Sequence, residues 1–291
     1  MRRTVVVLLC CLSLGVGHVR AQLPDFGRAT TLRPSSVEEI AADFATVPCN
    51  NGDRLAATTA LFEKLGASRR DINVEKLGAA ENIVVTLPGT SAHARTERIV
   101  VGAHYDKVSA GCGAFDNWTG VVAIAHMYRT IKSLTPSKTI VFVGFGEEEK
   151  GLVGSRAMVN QIPDDQATQY CAMINIDSLG NAMPQAFVNM SSAALVDVAG
   201  RVAQDLNVPF ARVESPVAFA DSLPFVSKGI PAITLVGMTS DWPTILHTVN
   251  DTAEKIDARS VQAGYRVGLS LLAAIDRAPC QAFREGAAAH R

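Results

Sequence analysis

The chain has 291 residues, 48% of them hydrophobic, and a formal net charge of -1. Length and apolar content allow a full core in one large α/β domain plus a leader. The near-neutral balance gives no electrostatic footing for nucleic acid or an anionic membrane surface as partner.

Residues 1–21 read as a signal peptide. Arg2 and Arg3 form its charged start, residues 5–16 its apolar stretch, and Val19-Arg20-Ala21 a small-residue cleavage site. The apolar stretch is shorter than a membrane span needs, so an uncleaved anchor is the weaker alternative. A secreted or periplasmic protein is expected, with no membrane attachment once the leader is removed. Cys10 and Cys11 leave with the leader. Cys49, Cys112, Cys171 and Cys280 then allow up to two disulfides, in any of three pairings. No CxxC pair occurs, which argues against a thiolate zinc site.

Residues 22–34 are polar and irregular, an arm lying on the domain. Ser35 or Ser36 caps a short helix through about Phe44, with Glu38 or Glu39 placed for a capping box. Residues 50–65 carry Leu55, Thr58, Leu61, Phe62 and Leu65 at helical spacing, and Gly66 ends that helix. Residues 72–74 and 82–87 read as strands at the edge of a mixed sheet. Residues 98–104 form a buried strand ending at His104, and a small-residue loop then leads to Phe115-Asp116-Asn117. A helix opens at Thr119-Gly120 and runs to about Ile131. Residues 139–145 are apolar at both parities, as in a strand covered on both faces, and exit into Glu147-Glu148-Glu149. A Gly-rich turn and a helix follow. Residues 171–176 form another apolar strand, ending at Asp177. A short strand is expected at 187–190, a helix at 192–206, a strand at 231–236 and a closing helix at 258–275. The loop after residue 236 holds Trp242 and His247, and residues 284–291 form a frayed tail. This alternation predicts an α/β fold, a largely parallel sheet flanked by helices, as a single domain over residues 22–283.

An acidic cluster at a helix N-terminus is favourable against the helix dipole. That accounts for one or two acids, not for three at a strand exit, where like charges repel. Carboxylates at the carboxyl end of such a strand face the crevice where open α/β sheets bind ligands. A lone histidine after a strand is ordinarily a structural hydrogen-bonder. Here three buried strands end at potential metal ligands, His104, Glu148-Glu149 and Asp177, and the loop residues Asp116 and His247 can join them. Imidazole and carboxylate donors without thiolate suit zinc, with cobalt or manganese as alternatives.

His104-Tyr105-Asp106, Phe115-Asp116-Asn117, Glu148-Glu149-Lys150-Gly151-Leu152, Asn175-Ile176-Asp177 and His247-Thr248 with Asp251-Thr252 form an ordered set. In order and rough spacing it resembles the co-catalytic di-zinc exopeptidases, which include secreted bacterial leucyl aminopeptidases, plasma glutamate carboxypeptidase and the glutaminyl cyclases. The likeness covers about residues 81–257, and Gly154-Ser155 and Asp221 ahead of Gly229-Ile230-Pro231 add to it. The resemblance implies a three-layer zinc-exopeptidase fold with a central mixed, mostly parallel sheet. It implies two zinc ions bridged by Asp116, with Glu149 and His247 on one and His104 and Asp177 on the other. Glu148 would be the general base, and Asp106 would orient His104 from behind. Gly151-Leu152 sets the register of the three acids, leaving Glu147 as a flanking residue and a candidate reader of the substrate amine.

The sequence also departs from the family. Ser222 stands where many relatives have His or Tyr, and Leu246 where some have Tyr, so the oxyanion-stabilising side chain is unassigned, with Tyr105 available. Trp242 either lines the pocket or packs. Asn117 lies in an Asn-Trp-Thr sequon, but its place beside a ligand argues for a structural role. The expected function is a secreted, monomeric zinc aminopeptidase acting on peptides. A carboxypeptidase or dipeptidase of the same fold is the alternative, and a non-catalytic binding module is the remote one. The full ligand set argues against a single-zinc cyclase.

Overall fold

The computed structural model describes residues 33–284. The expected leader, most of the arm and the tail beyond Arg284 lie outside the described residues.

Helix α1 (Val37–Phe44) begins at Ser36, whose hydroxyl accepts from the Glu39 amide while the Glu39 carboxylate accepts from the Ser36 amide. Helix α2 (Asn51–Lys64) is capped by Asn50. The antiparallel pair β1 (Ile72–Leu77) and β2 (Ala80–Leu87) follows, with the first strand longer than its sequence pattern suggests. Strand β3 (Arg98–His104), α3 (Thr119–Ile131), β4 (Thr139–Phe145), α4 (Val153–Asn160) and β5 (Tyr170–Ile176) form the centre. Beyond them lie β6 (Gln185–Phe187), α5 (Ala193–Asp205), β7 (Ala211–Val213), α6 (Ser222–Ser227), β8 (Ala232–Val236) and α7 (Ala258–Arg277).

The sheet order is β1-β2-β4-β3-β5-β8-β6-β7. It is parallel across β4, β3, β5 and β8 and antiparallel where β2 joins β4 and β6 joins β8. Alternate residues feed two cores. Ile99, Val101, Ile140 and Phe142 face the larger one with α1, α2, α3, α5 and α7; Val100, Val141, Val143 and Phe145 face the smaller one with α4 and α6. The chain leaves β3 for β4 on one side and then crosses to β5 on the other. The carboxyl ends of these three strands therefore frame a switch point, where such sheets bind ligands.

One expectation needs correction, and one stretch without a sequence pattern has structure. The strand expected at 187–190 is Gln185–Phe187, and Val188–Met190 is a 3-10 turn. Pairing with β8 runs only through Gln185 and Ala186, so the neighbouring strand, not local alternation, sets its limits. The 207–230 stretch, which shows no pattern, contains β7 and α6.

A buried polar clasp holds the N-terminal segment. His126 on α3 bonds Ser35 Oγ through Nδ1 (2.7 Å) and Asp43 Oδ2 through Nε2 (3.0 Å). Lys64 pairs with Asp43, and Arg129 donates to Glu39 (2.7 Å) and Ser35 (3.3 Å). The Tyr265 hydroxyl on α7 accepts from the Ser35 amide (3.0 Å). Two disulfides, Cys49–Cys112 and Cys171–Cys280, settle which of the three pairings forms.

Candidate metal centre

His104 closes β3, Glu148 and Glu149 follow the turn after β4, and Asp177 follows β5. Asp116 enters from the loop before α3, across a cis Asp116–Asn117 peptide bond. His247 enters from the loop after β8. The structure brings all six to one place. His104 Nδ1–H donates to the Asp106 carbonyl (3.2 Å), which leaves Nε2 facing Asp116 Oδ1 (3.1 Å) and Asp177 Oδ1 (3.6 Å). His247 Nε2 faces Asp116 Oδ2 and Glu149 Oε2, each at 3.0 Å. Asp116 thus presents one oxygen to each imidazole.

The donor atoms of His104, Asp116 and Asp177 lie within 4.8 Å of one another, as do those of Asp116, Glu149 and His247. A third group of the same span joins His104, Glu148 and Glu149. The donors are nitrogen and oxygen only, since all four cysteines of the described chain are in disulfides. Glu149 Oε1 is buried without a hydrogen-bond partner among the described residues. This set fits zinc, for which imidazole and carboxylate are ordinary ligands.

The charge balance agrees. Burial, reinforced by Asp221, Asp177 and Asp116, pushes Glu148 well above the usual carboxylate range. Burial also raises Glu149 and pushes Asp221 up to about 7. Burial opposes protonation of His104, but Glu148, Asp106, Asp116 and Asp177 outweigh it and raise that imidazole strongly. Hydrogen bonds from Asp116 and Glu149 lift His247 to about 10. Crowded carboxylates hold one another protonated unless cations share the space.

The Asp106 carboxylate is 3.6 Å from His104 Nδ1 and also accepts the amides of Glu148 (3.0 Å) and Glu149 (3.2 Å). It positions the acidic turn, while its own carbonyl orients the imidazole. Asp251, matched in the sequence without a role, does the same for the other loop, accepting the amides of Phe115 (2.6 Å) and Asp116 (3.1 Å). Buried Asn117 donates to the Ile176 carbonyl (2.9 Å) and accepts the Gly120 and Ser178 amides (both 3.0 Å). A Cβ at Gly120 would come within 2.5 Å of the Ile176 carbonyl, so glycine lets this clamp close.

Arg54 on α2 escaped the sequence reading. It is 0% exposed, and its guanidinium donates to the carbonyls of Tyr105, Pro48, Cys112 and Gly113 while lying 5.4 Å over the Trp118 ring. Its position four residues before Thr58 and seven before Leu61, on the buried stripe, is the signal that was there.

Among the described residues, four of the five non-glycine residues at positive φ, Glu147, Leu152, Ser178 and His247, belong to this site or its edge. Strained backbone of that kind collects where a fold holds functional groups in place. The donors line a cavity of about 510 Å3 with Phe187, Val217, Phe219, Trp242 and Leu246 among its apolar walls. Trp242 therefore faces the cavity. Glu147 lies outside the lining and pairs with Lys150 (2.6 Å). Tyr105 and Ser222 also turn away, donating to the carbonyls of Glu81 (2.8 Å) and Met190 (3.0 Å).

Residues 82–272 match the sequence model of the family described as Peptidase family M28. Leupeptin-inactivating enzyme 1 of Streptomyces exfoliatus is 28% identical over 152 residues, covering 52% of this chain and 34% of that protein. Aminopeptidase YwaD of Bacillus subtilis is 29% identical over 189 residues, covering 62% of this chain and 41% of that protein. The matches thus span between a third and about two fifths of these relatives. The crystal structure of an Acidobacteriales bacterium glutaminyl cyclase superposes with a TM-score of 0.69 at 17% identity, covering 86% of this chain and 99% of that one. That likeness bears on the fold alone.

Proposed function

This chain belongs to peptidase family M28, and from that premise we propose that it is a zinc-dependent aminopeptidase removing N-terminal residues from peptides. The observation that carries the reading is Asp116, whose two oxygens face two different imidazoles inside two donor groups. We read these groups as the seats of two zinc ions: His104 and Asp177 on one side, Glu149 and His247 on the other, Asp116 between. Zinc bound there would polarise the scissile carbonyl and make a water more acidic. Glu148 is the general base. It takes the proton of the attacking water and returns it to the leaving amine, so its carboxylate ends the cycle as it began. Asp106 holds its backbone in place by accepting its amide.

Residues 22–283 act as one peptidase domain in this reading. Among the described residues no helix is long and apolar enough to cross a membrane. Export rests on the leader pattern of residues 1–21, and two disulfides accord with an oxidising destination. A monomer acting on peptide substrates is the expected working form.

One peptide, offered free and N-acetylated, with and without chelator, tests the proposal by mass spectrometry of the products. Trimming of the free peptide alone from its N-terminus, abolished by chelator, is the expected result. Trimming of both forms from the C-terminus would make the protein a carboxypeptidase.

A further inference from the structure

Arg156 is the only lysine or arginine among the residues that line the cavity. It sits in the first turns of α4, directly after the acidic turn. Its Nε–H donates to the Gly151 carbonyl (3.0 Å), and Gly151 and Leu152 line the same cavity. Arg156 is exposed, and that bond ties its Nε to the cavity rim. Among the described residues no acceptor holds its two terminal nitrogens, and no carboxylate pairs with it. The neighbouring charges are committed: Lys150 to Glu147, and Glu148, Glu149, Asp116 and Asp177 to the donor cluster. The cavity therefore offers one unengaged planar cation and no unengaged acid.

We propose that Arg156 reads a carboxylate of the substrate, so that the site favours di- and tripeptides with a free C-terminus. The proposal rests on the peptidase reading above. A guanidinium with two free N–H edges matches a carboxylate better than any neutral acceptor. A space of about 510 Å3 is of the size that small ligands fill. A di- or tripeptide is small enough for such a space, so its terminal carboxylate can come within reach of a cation on the lining. A longer chain presents a neutral amide at the same point, and Arg156 gains nothing from it. The exposed Val217 and Phe219, at 65% and 70%, and the half-buried Trp242 leave the apolar wall for a side chain, so the charged end falls to Arg156.

The test compares Leu-Gly-Gly with its C-terminal amide, using zinc-loaded wild type, Arg156→Ala and Arg156→Lys. Wild type is expected to favour the acid about tenfold in kcat/KM, the low end for a charge-assisted bond in a partly solvated place. In Arg156→Ala that ratio falls to about one through KM, while cleavage of the amide stays at the wild-type level and shows the fold intact. Arg156→Lys keeps part of the preference. A ratio near one in wild type, or a tenfold ratio that survives Arg156→Ala, overturns the proposal. Calorimetry of both peptides on Glu148→Gln, with and without Arg156→Ala, reads the same preference without turnover. If no peptide is cleaved but the acid still binds tighter in an Arg156-dependent way, the peptidase reading fails and the carboxylate reader stands. Equal binding of acid and amide removes the reader.

Discussion

At the N-terminal clasp His126 stands between Ser35 and Asp43; at the carboxyl edge of the sheet His104 stands between Asp106, Asp116 and Asp177. Both are buried histidines among carboxylates, yet their charge balance is opposite. In the clasp, Glu39 and Asp43 face Arg129, Lys64 and His126. Burial raises Asp43, but His126 and Lys64 outweigh it and hold the carboxyl below its usual range. The Arg129 hydrogen bond, with the Ser36 amide, takes Glu39 down to about 2. At the sheet edge Asp106, Asp116, Glu148, Glu149, Asp177 and Asp221 gather around His104 and His247 with the buried Arg54 behind them, and Glu148 and Asp221 are driven upward. A buried His–Asp contact is therefore no mark of function by itself. A surplus of buried negative charge that the protein leaves uncompensated is.

The largest effect expected from this contrast is on turnover. Glu148→Gln should keep bound zinc and lose kcat by about a thousandfold or more, the range for removing a general base that also holds the water. Near-normal turnover with zinc retained would move the base elsewhere. The clasp should behave the other way. His126→Ala leaves Ser35 and Asp43 buried without their partner and should cost about 2–4 kcal/mol of stability in denaturant titration. Its kcat/KM per folded molecule should stay at the wild-type value; a selective loss of activity would erase the distinction between the clusters. Asp177→Asn gives a smaller effect of opposite sign. Removing one charge from the crowd should raise the Tm of the metal-free protein by a few degrees, on the order of 1 kcal/mol, and reduce the Tm gain on adding zinc. A fall in the metal-free Tm would show the acids compensated within the protein. Glu39→Gln is the smallest, below about 1 kcal/mol at pH 7, because the pair is partly solvated. Its sign follows from the depressed folded pKa. The stability it removes is fully present above the unfolded value near 4.5 and fades as pH falls through about 2. Variant and wild type should converge in acid, and a gap that widens there would contradict the assignment.

The central elements were legible because their physics is local. Strands β3 and β4 are apolar at both parities and their bounds match the expectation; the Ser36–Glu39 box is likewise a short-range signal. The donors were legible because strand ends place them, and motif order linked the loop residues Asp116 and His247 to them. What the sequence hid depends on distant partners. Asp106 looks suited to an imidazole two residues away, and nothing local reveals that the amides of Glu148 and Glu149 meet its carboxylate 42 and 43 positions on. Arg54 looks like a surface arginine, as that residue usually is. Its acceptors come from three separate stretches. Helix α6 was hidden by its brevity and by Pro224, which a first helical turn tolerates. The cavity walls at Val217, Phe219 and Met238 lie on loops without periodicity, so only the folded chain shows them meeting.

The two disulfides make the surroundings a control on the whole molecule. Cys49–Cys112 closes 63 residues and Cys171–Cys280 closes 109, without nesting. By chain entropy each contributes about 4–5 kcal/mol. Together they rival the net stability of a typical domain, which is about 5–15 kcal/mol. Cys49–Cys112 ties the start of α2 to the loop whose carbonyls Arg54 grips, the loop that delivers Asp116. In a thiol-rich medium the chain would lose both much of its overall margin and one of the ties on the loop that carries Asp116. The yield of folded material should then track how oxidising its place of synthesis is.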